Sequence, residues 1–111
     1  MNSRVLFVVC GILAGCGTQV EQSVARWRLS VEQGVPPGAT RAQAEGWAER
    51  SGVKLVYSPR ERKLQSVAER IPVTGPERLV CSEWVVLVTV QLAPSSEVVE
   101  RSDVSRTGVC L

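Results

Sequence analysis

No histidine occurs among these 111 residues. Its absence excludes serine–histidine–aspartate and cysteine–histidine catalysis, and every zinc site that relies on an imidazole. Nor is there a G-x-S-x-G elbow, a glycine-rich phosphate loop or a C-x-x-C redox pair. Like charges are interspersed and never form a block, so nothing points to nucleic acid. Internal repeats and low-complexity segments are missing too. What remains as catalytic raw material is carboxylate. Glu45 and Glu49 fall one helical turn apart, and Glu97 and Glu100 flank the last predicted turn. Both pairs read as solvated charges, so the expectation is a protein that is not an enzyme and holds no metal.

A long apolar run is also lacking. Behind a polar start carrying Arg4 (MNSR) lies an apolar stretch from Val5 to Ala14 (VLFVVCGILA), after which Thr18 and Gln19 close it. A helix that stays in a bilayer needs roughly 20 apolar residues, so this run has the layout of a secretory signal and not of a span. Leu13, Ala14, Gly15 and Cys16 in succession resemble the lipobox of bacterial lipoproteins at all four positions. The resemblance implies a signal peptide over residues 1–15, cleavage between Gly15 and Cys16, and diacylglycerol on the Cys16 thiol with a further acyl chain on the new amino terminus. No other cofactor is expected. Each buried methylene contributes about 0.8 kcal/mol, so two or three chains hold a protein almost permanently at a membrane. Gly17 follows where enterobacterial inner-membrane lipoproteins tend to carry aspartate. The expected address is therefore the outer membrane, facing the periplasm.

Removing the leader leaves 96 residues with 12 basic and 11 acidic side chains, enough for one domain. Residues 16–34 are polar with scattered apolar positions and read as a lipidated tether, with an early strand or a helical turn as the alternatives within it. Arg26, Trp27 and Arg28 form its one basic and aromatic cluster, placed either at the membrane interface or against the domain edge.

The folded domain is expected over residues 35–111, after the stiff pair Pro36 and Pro37. Thr40 and Gln43 form a capping box opening a helix from Arg41 to Ser51, with Ala44, Trp47 and Ala48 on one apolar face and Gly52 at its end. From Val53 the period changes to 2, giving a first strand to Ser58. Pro59 to Arg62 turns the chain. Lys63 to Ile71 reads as a second strand, or as a short helix, and Pro72 to Glu77 as loop. The strongest strand is Glu83 to Leu92, with Trp84, Val86, Val88, Val90 and Leu92 on one side. Pro94 to Glu97 turns it into a last strand from Val98 to about Cys110. The predicted class is α+β, one helix covering a four-stranded antiparallel meander. Arg60, Arg62 and Lys63 gather at a hairpin tip, where an anionic partner is one reading and a solvated tip the other.

Cys81 and Cys110 remain once Cys10 is removed and Cys16 lipidated, an even number suited to an oxidising compartment. A four-residue turn that sets Ala93 opposite Val98 also sets Cys81 opposite Cys110 at the open end of the hairpin. That register places the apolar even residues of one strand against Arg101 and Asp103 of the other. A one-residue bulge, with Gly108 as a candidate, reconciles the faces with the disulfide. Closing a loop of this size is worth about 3.6 kcal/mol in the chain-entropy model.

The helix opening from Gly38 to Ala44 (GATRAQA), followed by a meander, resembles small outer-membrane assembly lipoproteins of the SmpA/OmlA type. That implies a non-enzymatic module that holds an envelope protein partner. The alternative is a periplasmic inhibitor or immunity-type lipoprotein directed at a lytic enzyme, a role that suits small disulfide-clamped sheets.

Overall fold

The computed structural model describes residues 19–111. The expected signal peptide, the expected cleavage site at Gly15 and Cys16, and the expected lipid position lie outside the described residues. Two helices precede the sheet: α1 (Gln19–Gly34) and α2 (Arg41–Ser51). The strands β1 (Val56–Ser58), β2 (Lys63–Pro72), β3 (Cys81–Leu92) and β4 (Val99–Cys110) pair antiparallel in chain order. The class is α+β with a meander sheet, but with a second helix where a tether was expected. Val20, Val24, Trp27 and Val31 recur at i, i+4, i+7 and i+11, and this stripe docks α1 on the sheet. Once those four side chains have a surface to cover, solvating the segment as a tether is the poorer alternative.

The capping box at α2 is present in both halves. The Gln43 N–H donates to the Thr40 hydroxyl at 3.2 Å, and the Thr40 N–H donates to the Gln43 side chain at 2.8 Å. Gly52, at φ 74°, ends the helix in the left-handed region. The N–H of Val53 then bonds back to Ala48 at 2.8 Å, which postpones the first strand from Val53 to Val56. Ala44, Trp47 and Ala48 are buried as the apolar face requires.

The core lies between the helices and one face of the sheet. Leu64, Val86, Val88, Val90, Leu92, Val99 and Val104 come from the strands, and Val20, Val31, Ala44, Trp47 and Ala48 from the helices. Each large aliphatic residue so enclosed contributes about 1.5–3 kcal/mol. Trp47 meets Trp27 edge to face at 6.2 Å and donates its indole N–H to Ser30 at 3.1 Å.

Ala93 does face Val98, its N–H bonding to the Val98 carbonyl at 2.9 Å, and Cys81 and Cys110 are opposite each other and joined by a disulfide. The faces are reconciled by two bulges, neither at Gly108. Glu100 is the extra residue on β4, since Leu92 pairs with Val99 but Gln91 with Arg101. Ser82 is the extra residue on β3, since Glu83 pairs with Val109 but Cys81 with Cys110. Between them Val88 opposes Val104 and the apolar faces coincide. Gly108 has a different task. It sits opposite Trp84, and a Cβ there would come 3.2 Å from the indole ring and 2.9 Å from the Cys110 sulfur.

Candidate functional site

One flank of α1 runs along β4, the last strand of the sheet, and the two elements enclose a groove. Glu21, Ala25, Arg28 and Glu32 follow one another at i, i+4, i+7 and i+11, so a single stripe of the helix supplies one wall. Arg101, Ser102, Asp103, Val104, Ser105 and Arg106 supply the other. The end near Val35 and Pro37 holds about 230 Å³ and the more open end near Glu21 about 510 Å³, with Arg28 bordering both. Charges alternate along it. Glu21 lies 3.6 Å from Arg106, which stacks its guanidinium over Trp84 at 5.0 Å, and the Arg28 guanidinium donates to the Val104 carbonyl at 3.0 Å.

The backbone of β4 opens into this groove. The Leu92 N–H bonds to Arg62 on the β2 side, so Leu92 and Val99 form a pair that exchanges no bonds across the β3–β4 ladder. Val99 therefore turns its backbone outward. Its carbonyl accepts from Gly38 at 2.8 Å and its N–H donates to Ala39 at 2.7 Å, so residues 38–40 make a single bridge against the start of β4. Beyond the Glu100 bulge the same alternation turns Ser102, Val104, Arg106 and Gly108 outward. The Ser102 hydroxyl donates to the Val35 carbonyl at 3.2 Å. Past Ser105 the side chains are mostly exposed.

A second polar cluster holds α1 from the opposite flank. A bulge at Ala68, between the pairs Val67 with Leu87 and Glu69 with Val86, turns Glu69 onto the helix-covered face. There its carboxylate accepts from the fully buried Ser23 hydroxyl and from the Trp27 indole N–H at 2.9 Å, with Arg26 at 3.8 Å. These contacts, the Ser23 hydrogen bond foremost, outweigh partial burial and hold the carboxyl below the ordinary carboxylate range. The cluster of Arg26, Trp27 and Arg28 is thus divided. Trp27 packs on the domain, and the two arginines serve opposite flanks of α1.

The other sequence candidates are committed to the fold. Arg62, at φ 51°, donates to the carbonyls of Ala93 at 3.1 Å and Ser96 at 2.7 Å, tying two turns together. Lys63 pairs with Glu61 at 2.8 Å, and Arg60 is exposed. Glu97 meets Arg41 at 3.5 Å and Arg62 at 3.8 Å, Glu45 meets Arg41 at 3.7 Å, and Glu100 meets Arg101 at 3.4 Å. Each of these carboxylates meets an arginine; Glu45 and Glu97 border one open pocket beside Arg41 and Glu100 another, so neither sequence pair shares a cavity. Among the described residues no three histidine, cysteine, aspartate or glutamate side chains are placed to hold a metal ion, and no helix is long and apolar enough to cross a membrane. The sequence signal for the groove is the spacing of Glu21, Ala25, Arg28 and Glu32, which is visible only once residues 19–34 are taken as a helix. No protein-family model, curated protein or solved structure matches this chain.

Proposed function

We propose that this chain is a bacterial envelope lipoprotein, anchored through diacylglycerol and an N-acyl chain on Cys16, and that its domain is a non-enzymatic protein-binding or assembly module at the periplasmic face of the outer membrane. The observation that carries this reading is the run Leu13, Ala14, Gly15, Cys16 directly behind the apolar stretch from Val5. The disulfide between Cys81 and Cys110 supports it, because such bonds persist in oxidising compartments. The binding role draws support from a groove of alternating charge beside an open strand edge. A clamped sheet also suits an inhibitor of a lytic enzyme, and the identity of a captured partner distinguishes the two roles.

The test is the intact mass of protein extracted from bacterial membranes, before and after reduction and thiol alkylation. A mass equal to residues 16–111 plus diacylglycerol or three acyl chains, with no reactive thiol before reduction, is the expected result. A chain retaining residues 1–15, or a lipid-free chain with reactive thiols, overturns it.

A further inference from the structure

We infer that the open half of β4 is a self-association edge, which joins two copies of this chain antiparallel about a two-fold axis through Ser105. The starting point is the row of outward backbone groups at Ser102, Val104, Arg106 and Gly108, between the stub at residues 38–40 and the disulfide. Unpaired edges of this kind are templates for another strand. Here the protein's own groups stand in for that strand. Residues 38–40 fill the first rung, and the Arg28 guanidinium takes the Val104 carbonyl that a neighbouring N–H would otherwise take.

Charge selects both the occupant and the register. Antiparallel pairing of two identical strands admits only registers in which outward residues meet outward residues. The register centred on Asp103 sets aspartate against aspartate, and the one centred on Arg106 sets arginine against arginine. Both are disfavoured. Centring on Val104 brings the two Arg28 side chains together, because each sits at Val104. Centring on Ser105 removes every such conflict. Val104 then faces the partner's Arg106, Ser102 the partner's Gly108, and Asp103 the partner's Thr107. The partner's Arg106 N–H takes over the Val104 carbonyl and releases Arg28. Since Arg28 lies at Val104 and Glu21 at Arg106, the released guanidinium meets the partner's Glu21, and the same exchange occurs across the axis. The two β4 strands form one eight-stranded sheet with the helices on a single face. The pairing ends at Ser102, because residues 38–40 already occupy the edge at Val98 and Val99. None of this depends on whether Cys16 carries lipid.

Ser105 is exposed, and its position on the axis provides the test. Residues facing each other in a pair without hydrogen bonds lie about 4.5 Å apart at Cα, within disulfide range. In the full-length chain expressed in bacteria, Ser105→Cys forms a disulfide-linked dimer on mild oxidation that reduction dissolves, and the unsubstituted chain does not. Asp103→Cys, four strand residues from its own copy and so roughly 13 Å away, stays unlinked. Arg28→Glu in the Ser105→Cys background lowers the linked fraction several-fold while Arg28→Lys retains it, both variants keeping the Cys81–Cys110 bond and the wild-type circular dichroism. No Ser105→Cys dimer, equal linkage through Asp103→Cys, indifference to Arg28→Glu, or a linked species holding a different protein each overturns the proposal.

Discussion

Glu69 is the side chain on which the position of α1 depends most. The Ala68 bulge brings it under the helix, where the buried Ser23 hydroxyl and the half-buried Trp27 indole N–H converge on it. Replacing it by leucine strands the buried Ser23 hydroxyl, at about 1–3 kcal/mol, and removes the acceptor of the half-buried Trp27 indole. Chemical denaturation of Glu69→Leu is expected to show that loss, and Glu69→Gln, which keeps an acceptor, a smaller one. A pH dependence follows from the lowered carboxyl. A group whose folded value lies below its ordinary value, here 4.5, contributes its stabilisation fully above that value and loses it as pH falls through the folded value. The Trp27 indole N–H resonance is expected to hold its position down to about pH 4.5 and to move below it, and to lose that acid transition in Glu69→Gln. None of this was legible from the residues alone. A period-2 reading of Lys63 to Ile71 assigns Glu69 to the opposite face, and a bulge is fixed by the partner strand and the overlying helix, which the local pattern does not contain. Gly34 is similarly opaque. A Cβ there would lie 2.1 Å from Trp47 Cδ1, so Gly34→Ala is expected to cost at least about 1–3 kcal/mol in thermal unfolding.

Among the elements, α2 was the most legible and α1 the least. The reason is where each helix's signals reside. Thr40, Gln43 and Gly52 punctuate α2 locally, and both halves of the capping box and the left-handed terminus are present. Thr40→Ala is expected to lower stability by about 1 kcal/mol and to speed amide exchange in the first turn of α2. In α1 the apolar stripe is narrow and is interrupted by Arg26, Arg28 and two glutamates, so composition speaks for a solvated segment and only the spacing of Val20, Val24, Trp27 and Val31 speaks for a helix. Its stability comes from the sheet it covers, as is usual for helices of this length. The β3–β4 hairpin falls between these cases. Its turn, its cysteine pairing and the need for a bulge follow from alternation and loop length, whereas the positions of the bulges, at Glu100 and Ser82, do not.

For the molecule as a whole, stability rests on a single-sided core closed at one end by a covalent clamp. The disulfide joins the two longest strands at the end away from their turn. Replacing both Cys81 and Cys110 by serine is expected to remove about 3–4 kcal/mol in the chain-entropy picture. For a domain of this size that is a fall in Tm of roughly 10–25 °C, read by calorimetry. Meander order and α+β class were predictable because consecutive strands joined by short turns have few other ways to pair.

If Cys16 is the lipid anchor proposed above, having α1 in place of a tether also limits how far the domain can travel from a membrane. The described residues are helical from Gln19 onward, and in the sequence Gly17 and Thr18 lie between Gln19 and Cys16. Three fully extended steps of the chain cover at most about 11 Å. On the lipoprotein reading, the leash is thus shorter than the domain it holds. A molecule anchored in that way would not fish across the periplasm for a distant target. It would skim the bilayer, and whatever it met, its own copy included, would be met by diffusion in two dimensions.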